Sequence, residues 1–190
     1  MKSTCISMGL WAALALSQPT FGAAPETATS ARIQRQTVVV HHRYRAYPRW
    51  GYRTTVIPRS TTVIYHGRVG YRYVDGVFYK PLGRTFVVVP PPVGLVIPVL
   101  PAGFVTITIG GAPFFYHYGT YYVKVSGQNQ YRVVPPPAGA QVDSLPQGYE
   151  KIVLNGQTYY VLDGIYYQAR IRENGEVAYE VVGNKTRSEI

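Results

Sequence analysis

From residue 61 onward, short segments rich in β-branched and aromatic residues alternate with glycine-containing dipeptides, and no stretch shows the three-to-four spacing of an amphipathic helix. Residues 104–109, 114–118 and 158–162 are such segments, and each has the composition of a half-buried strand. The dipeptides between them are turn signals, because Asn-Gly, Asp-Gly and Gly-Gly accept the positive φ that a two-residue hairpin turn requires. His66-Gly67, Gly110-Gly111 and Asn155-Gly156 hold one turn position, and Asp75-Gly76, Tyr118-Gly119 and Asp163-Gly164 hold the next. Paired aromatics at Phe78-Tyr79, Tyr121-Tyr122 and Tyr166-Tyr167 precede a third hairpin whose returning strands are 86–89, 131–134 and 179–182. The expected fold is all-β, an antiparallel meander of short strands.

The punctuation repeats. Pro90-Pro91-Pro92-Val93-Gly94 returns 45 residues later as Pro135-Pro136-Pro137-Ala138-Gly139, and Leu100-Pro101-Ala102-Gly103 returns as Leu145-Pro146-Gln147-Gly148. Gly119-Thr120-Tyr121-Tyr122 becomes Gly164-Ile165-Tyr166-Tyr167. A degenerate copy precedes them: 62–67 matches 151–156, and 71–79 matches 159–167, with a one-residue insertion near Val69. The reading is a β-repeat domain over 61–183, made of a partial unit (61–89), a full unit (90–134) and a second full unit (135–183), with a tail at 184–190. A 45-residue unit without disulfide or metal is too small to fold alone, so the units should share one core. A solenoid of stacked units is the other arrangement this pattern allows.

Ahead of the domain, one charged residue, Lys2, leads into an uncharged apolar run at 6–16 and then into small residues at 22–24. This is the layout of a helical signal peptide over 1–23, and it implies export. The only cysteine, Cys5, falls inside it, so a disulfide framework or thiolate site is not expected in the mature chain. Residues 24–60 alternate arginine with aromatics and carry Pro and Gly, the composition of a disordered basic arm. Charge concentrates there and just beyond: residues 23–85 hold 11 Lys and Arg against Glu26 and Asp75, a net of +9, whereas 86–190 hold seven of each sign. Arg43, Arg45, Arg49 and Arg53 are the candidate contacts for an anionic partner. In an exported chain that partner would be an envelope component, a lipid headgroup, cell-wall polymer or lipopolysaccharide, rather than nucleic acid.

Residues 86–109 form a 24-residue run without charge, long enough to cross a bilayer as a helix. It contains five prolines, and its counterpart at 131–154 carries Arg132, Asp143, Glu150 and Lys151, so strands and an extended connector are expected instead. A membrane-embedded protein through 86–109 is the alternative. Histidines 41, 42, 66 and 117 show no ligand spacing, and no metal or cofactor is expected. Asp75 and Asp163 recur, but each precedes glycine and Tyr118 replaces them in the middle unit, which favours a turn role over an acid–base pair. A hydrolase, carbohydrate-active or otherwise, using an unrecognised carboxylate among Asp75, Asp143, Glu150 and Asp163 is the other alternative to a non-enzymatic binding module. The 18 tyrosines offer the remaining candidate, an aromatic surface made by Tyr121, Tyr122, Tyr159, Tyr160, Tyr166 and Tyr167 that stacks on sugars or partner proteins. Cross-strand packing inside the sheet is the competing role for the same residues.

Written as Pro-Pro-x-Gly, Leu-Pro-x-Gly, Gly-x-x-Tyr-Tyr and Gly-x-Tyr-Tyr in tandem, residues 61–168 resemble an uncharacterised family of exported bacterial proteins. The resemblance implies a signal peptide and a periplasmic or envelope location, and it transfers no catalytic or binding residues.

Overall fold

The computed structural model describes residues 40–184. The expected signal peptide (1–23), the first part of the arm (24–39) and the end of the tail (185–190) lie outside the described residues. Within them the chain is all-β and antiparallel, as three five-stranded sheets of identical topology. Sheet 1 contains β1 (Arg53–Thr54), β2 (Thr62–His66), β3 (Val69–Val74), β4 (Val77–Leu82) and β5 (Thr85–Val89), in the order β1-β5-β4-β3-β2. Sheet 2 contains β6 (Val96–Ile97), β7 (Val105–Ile109), β8 (Ala112–His117), β9 (Thr120–Lys124) and β10 (Tyr131–Val134). Sheet 3 contains β11 (Gln141–Val142), β12 (Glu150–Leu154), β13 (Gln157–Leu162), β14 (Ile165–Ile171) and β15 (Val177–Asn184), both in the equivalent order. Each sheet is a four-stranded meander whose last strand also pairs with a two-residue strand that precedes the meander.

The turns explain the register. Asp75, Tyr118 and Asp163 have φ of 47°, 46° and 49°, and each is followed by a glycine at 77° to 82°. Two consecutive left-handed residues match the twist of the flanking strands. For Tyr118 this conformation costs about 1–2 kcal/mol, and its buried ring and a hydrogen bond from its hydroxyl to the Pro48 carbonyl hold it there. In sheet 1 the β2–β3 turn is Gly67-Arg68, because His66 pairs with Val69. It therefore falls one residue later than expected, and no insertion near Val69 exists. Strands at 53, 69 and 77 precede their counterparts at 96, 112 and 120 by a constant 43 residues.

The first unit is also complete. Gly51 donates to Val88, Gly94 to Val133 and Gly139 to Val181, so residues 49–54 do in sheet 1 what 92–97 and 137–142 do in the other two. Residues 40–60 are thus not a disordered arm. Tyr44 is 2% exposed, packed edge-to-face against Tyr47, Tyr116, His117 and Tyr118. Ser144, fully buried, pins the same segment: its hydroxyl donates to the His41 carbonyl at 2.6 Å and accepts the Arg43 amide at 3.2 Å. Composition suggested disorder, but burying Tyr44 and Trp50 outweighs the ordering entropy that the arginines alone could not offset.

Residues 86–109 are β5 in sheet 1 followed by β6 and β7 in sheet 2, with the prolines in the extended connections. Among the described residues no helix is long and apolar enough to cross a membrane.

Buried residues form two clusters. The smaller joins Tyr71 and Phe78 of sheet 1 to Leu95, Ile97, Tyr122 and Val133 of the second unit. The larger draws on all three sheets and includes Tyr79, Val88, Tyr116, Tyr121, Tyr167 and Val181. Since adjacent residues on a strand point to opposite faces, Tyr121 and Tyr122 show that sheet 2 is covered on both sides. Sheet 3 contributes to the larger cluster through the face that carries Leu162, Tyr167, Tyr179 and Val181.

Candidate functional site

The aromatic candidates separate by layer. Tyr121, Tyr122 and Tyr167 are 1%, 0% and 1% exposed, so half of the expected binding surface is core. Burial holds each of their hydroxyls protonated far above the ordinary tyrosine range. The reason is the number of layers: strand alternation sends the two residues of a pair to opposite faces, and in sheet 2 both faces are covered by neighbouring units. Tyr160 is half-buried against Tyr149 and Tyr179, with the Lys151 ammonium 5.9 Å from its ring centre. Only Tyr159 and Tyr166 lie away from both clusters, edge-to-face at 6.2 Å on the outer side of sheet 3.

The basic candidates have similarly divided roles. Arg43 is structural, with its guanidinium on Asp143 Oδ2 at 2.5 Å and on the Gly103 carbonyl at 3.2 Å. The hydrogen bond to Asp143 raises its pKa further. Arg45 and Arg49 are exposed, although the Arg45 carbonyl accepts a hydrogen bond from Gln147. Arg53 is exposed on β1, opposite Val87 of β5, which in turn faces Lys80 across the β4–β5 pair. The first unit carries five further cations, Arg59, Arg68, Arg72, Lys80 and Arg84, of which Lys80 shares the face of Arg53 and Arg72 lies on the opposite face. Counted by unit, residues 40–89 carry nine Lys and Arg against Asp75, a net of +8; residues 90–134 carry two and no acid; residues 135–184 carry three against six, a net of −3. Of the nine cations in the first unit only Arg43 enters a salt bridge among the described residues. The charge is therefore divided between the folded segment ahead of β1, with Arg43, Arg45 and Arg49, and sheet 1 with its turns, and its sign reverses toward sheet 3.

The carboxylates hold structural places. Asp75 and Asp163 occupy the positive-φ turn positions, and Asp143 pairs with Arg43. Among the described residues no group of three His, Cys, Asp or Glu side chains could hold a metal ion. A groove of about 330 Å³ opens between Trp50, the Pro90-Pro91 and Pro135-Pro136 connectors, and the Gly119 and Asp163 turns. Its walls are mostly pyrrolidine, indole and aliphatic surface.

His117 is the one deeply buried imidazole, 1% exposed. Its Nε2 lies 3.4 Å from the Tyr47 hydroxyl, and the Asp75-Gly76 turn closes over the ring so tightly that a Cβ on Gly76 would stand 2.3 Å from Nδ1. Desolvation, reinforced by the positive charge of Arg43, lowers its pKa to about 4, against the opposing pull of Asp75 and of the Ala102 backbone.

Comparison with curated proteins and with solved structures returned no match. A family model does match, over residues 30–185, which takes in the three sheets and the segment that Ser144 pins. The chain belongs to that family, described as a family of unknown function (DUF6515).

Proposed function

We propose that this chain is an exported, non-enzymatic module of the bacterial cell envelope that holds an anionic envelope component on its basic first unit. The observation that carries the reading is the charge of that unit: a net of +8 in which eight of the nine Lys and Arg side chains enter no salt bridge among the described residues. Unpaired arginines on a folded sheet keep their guanidinium groups available for bidentate contact with phosphate or carboxylate. Arg53 and Lys80, flanking Val87 in one cross-strand row, and Arg84 in the adjoining turn place three such groups at one side of sheet 1. The signal-peptide layout of residues 1–23 supports export.

The test is cosedimentation of the mature chain with isolated envelopes, with vesicles of anionic phospholipid, and with purified cell-wall polymer. Binding should be strong at low ionic strength and fall steeply as salt shortens the range of exposed charges. Exchanging Arg49, Arg53, Lys80 and Arg84 for glutamate should abolish it while the fold persists. Failure to bind any of the three at low salt, or binding unchanged in the fourfold variant, overturns the reading; the three targets show which anionic group is held.

A further inference from the structure

The equivalent strands of the three sheets carry equivalent aromatics on one face: Tyr71 and Phe78, Phe114 and Tyr121, Tyr159 and Tyr166. In sheet 1 this face is sealed, with Tyr71 8% and Phe78 1% exposed, in the cluster shared with sheet 2. In sheet 2 it is sealed by the larger cluster, where Tyr121 meets Tyr167 of sheet 3. Sheet 3 carries the same ladder, with no sheet above it among the described residues. Ile152 opposite Tyr159, and Val161 opposite Tyr166, complete a half-exposed apolar centre. Its rim is polar: Gln168 faces Glu180 across the β14–β15 pair, Arg170 Nε donates to Glu180 Oε2 at 2.7 Å and Nη2 to Gln168 Oε1 at 3.0 Å, and Glu150 stands opposite Val161. An apolar centre inside a hydrogen-bonding rim has the anatomy of a protein interface.

The fold also restricts the occupant. A head-to-tail array would need the opposite face of sheet 1, but Tyr79 and Val88 on that face are 7% and 0% exposed. What remains is a self-complementary contact, in which one patch meets its own copy about a twofold axis. The rim suits this, because it carries a cation and an anion side by side that can exchange partners. We propose that a second copy of the chain docks here, third sheet on third sheet, with Arg170 of one protomer pairing with Glu180 of the partner. The contact extends the rule already followed inside the molecule, where each aromatic ladder is covered by a sheet of the same kind.

The test is sedimentation velocity of the mature chain over a wide concentration range, combined with a photo-crosslinking residue in place of Gln168. The expected result is a reversible dimer, with crosslinks between sheet 3 of one copy and sheet 3 of another. Tyr166→Glu should yield a monomer with unchanged circular dichroism. Arg170→Glu or Glu180→Arg alone should weaken the dimer at least tenfold, and the double exchange should restore it. A monomer at the highest concentration, a dimer indifferent to Tyr166→Glu, or crosslinks running only to residues 24–39 of the same chain would overturn the proposal. Saccharide binding lost in Tyr166→Glu without a change of mass would also overturn it, by assigning the face to sugar. Envelope binding by Tyr166→Glu is measured alongside, so that loss of the dimer and loss of the basic-unit function are told apart.

Discussion

Acid should unlatch this fold at His117, by an amount that follows from its burial. The folded imidazole titrates at about 4 and an unfolded one at about 6.5, so between these values the unfolded chain binds the extra proton. A depressed histidine pKa therefore contributes stability that is fully present above the unfolded value and is lost as pH falls. Integrating between the two values, the loss is about 1 kcal/mol at pH 6, about 2 at pH 5 and about 3 at pH 4. The position in the other units is held by Val74 and Leu162, so His117→Leu is the natural non-titrating comparison. Urea midpoints of the native protein and of His117→Leu, measured from pH 7 to pH 4, separate this group from the carboxylates, which act on both proteins alike. The difference in unfolding free energy between the two should change by about 2–3 kcal/mol across that range, in favour of the leucine variant at low pH. Parallel curves would refute the argument and show that protonated His117 is accommodated by Asp75 or the Ala102 backbone.

Other substitutions test the packing. Gly110→Ala adds only the strain of a positive φ, since nothing lies within 4 Å of its Cβ, and should cost about 1 kcal/mol. Gly119→Ala places a Cβ 2.6 Å from the Trp50 ring and 2.9 Å from Pro146 Cγ, so chemical denaturation should show a loss of about 3 kcal/mol. Tyr122→Ala should cost about 3–5 kcal/mol and Tyr159→Ala less than about 1, although both belong to adjacent tyrosine pairs. Ser144→Ala removes the hydroxyl that holds residues 41–43 and should destabilise by about 1–2 kcal/mol, with faster hydrogen exchange at the Arg43 amide as its specific signature.

The hairpins were legible because their chemistry is local. A residue forced to positive φ must be Gly, Asn or Asp, or be held there by something else, and only Tyr118 required the structure to say what held it. Which tyrosines reach solvent was not legible, since strand alternation assigns Tyr121 and Tyr122 to opposite faces without saying how many sheets are stacked. The opening of the first unit was hidden for a different reason. Pro48-Arg49-Trp50-Gly51 does the work of Pro91-Pro92-Val93-Gly94, but its arginines resemble an unstructured segment, and a two-residue strand such as Arg53–Thr54 leaves no periodicity. The basic candidate site was legible in charge, and its form was not: Arg43, Arg45 and Arg49 lie in an ordered turn segment ahead of β1, Arg53 lies on β1, and Arg43 is already engaged by Asp143.

The unequal ends of the stack give the molecule a direction of growth. Sheet 1 has both faces filled, with Tyr79 and Val88 in the core shared by all three sheets, whereas sheet 3 keeps Tyr159 and Tyr166 on a half-exposed face. A gene that duplicated one unit could lodge the new copy after Asn184, where a bare sheet face is ready to receive it, but not ahead of β1, where the corresponding surface is already filled. Lengthening by descent would then proceed from the carboxyl end, and longer descendants would keep the Tyr44 and Ser144 fastening of the first unit while their final sheet inherits the exposed ladder.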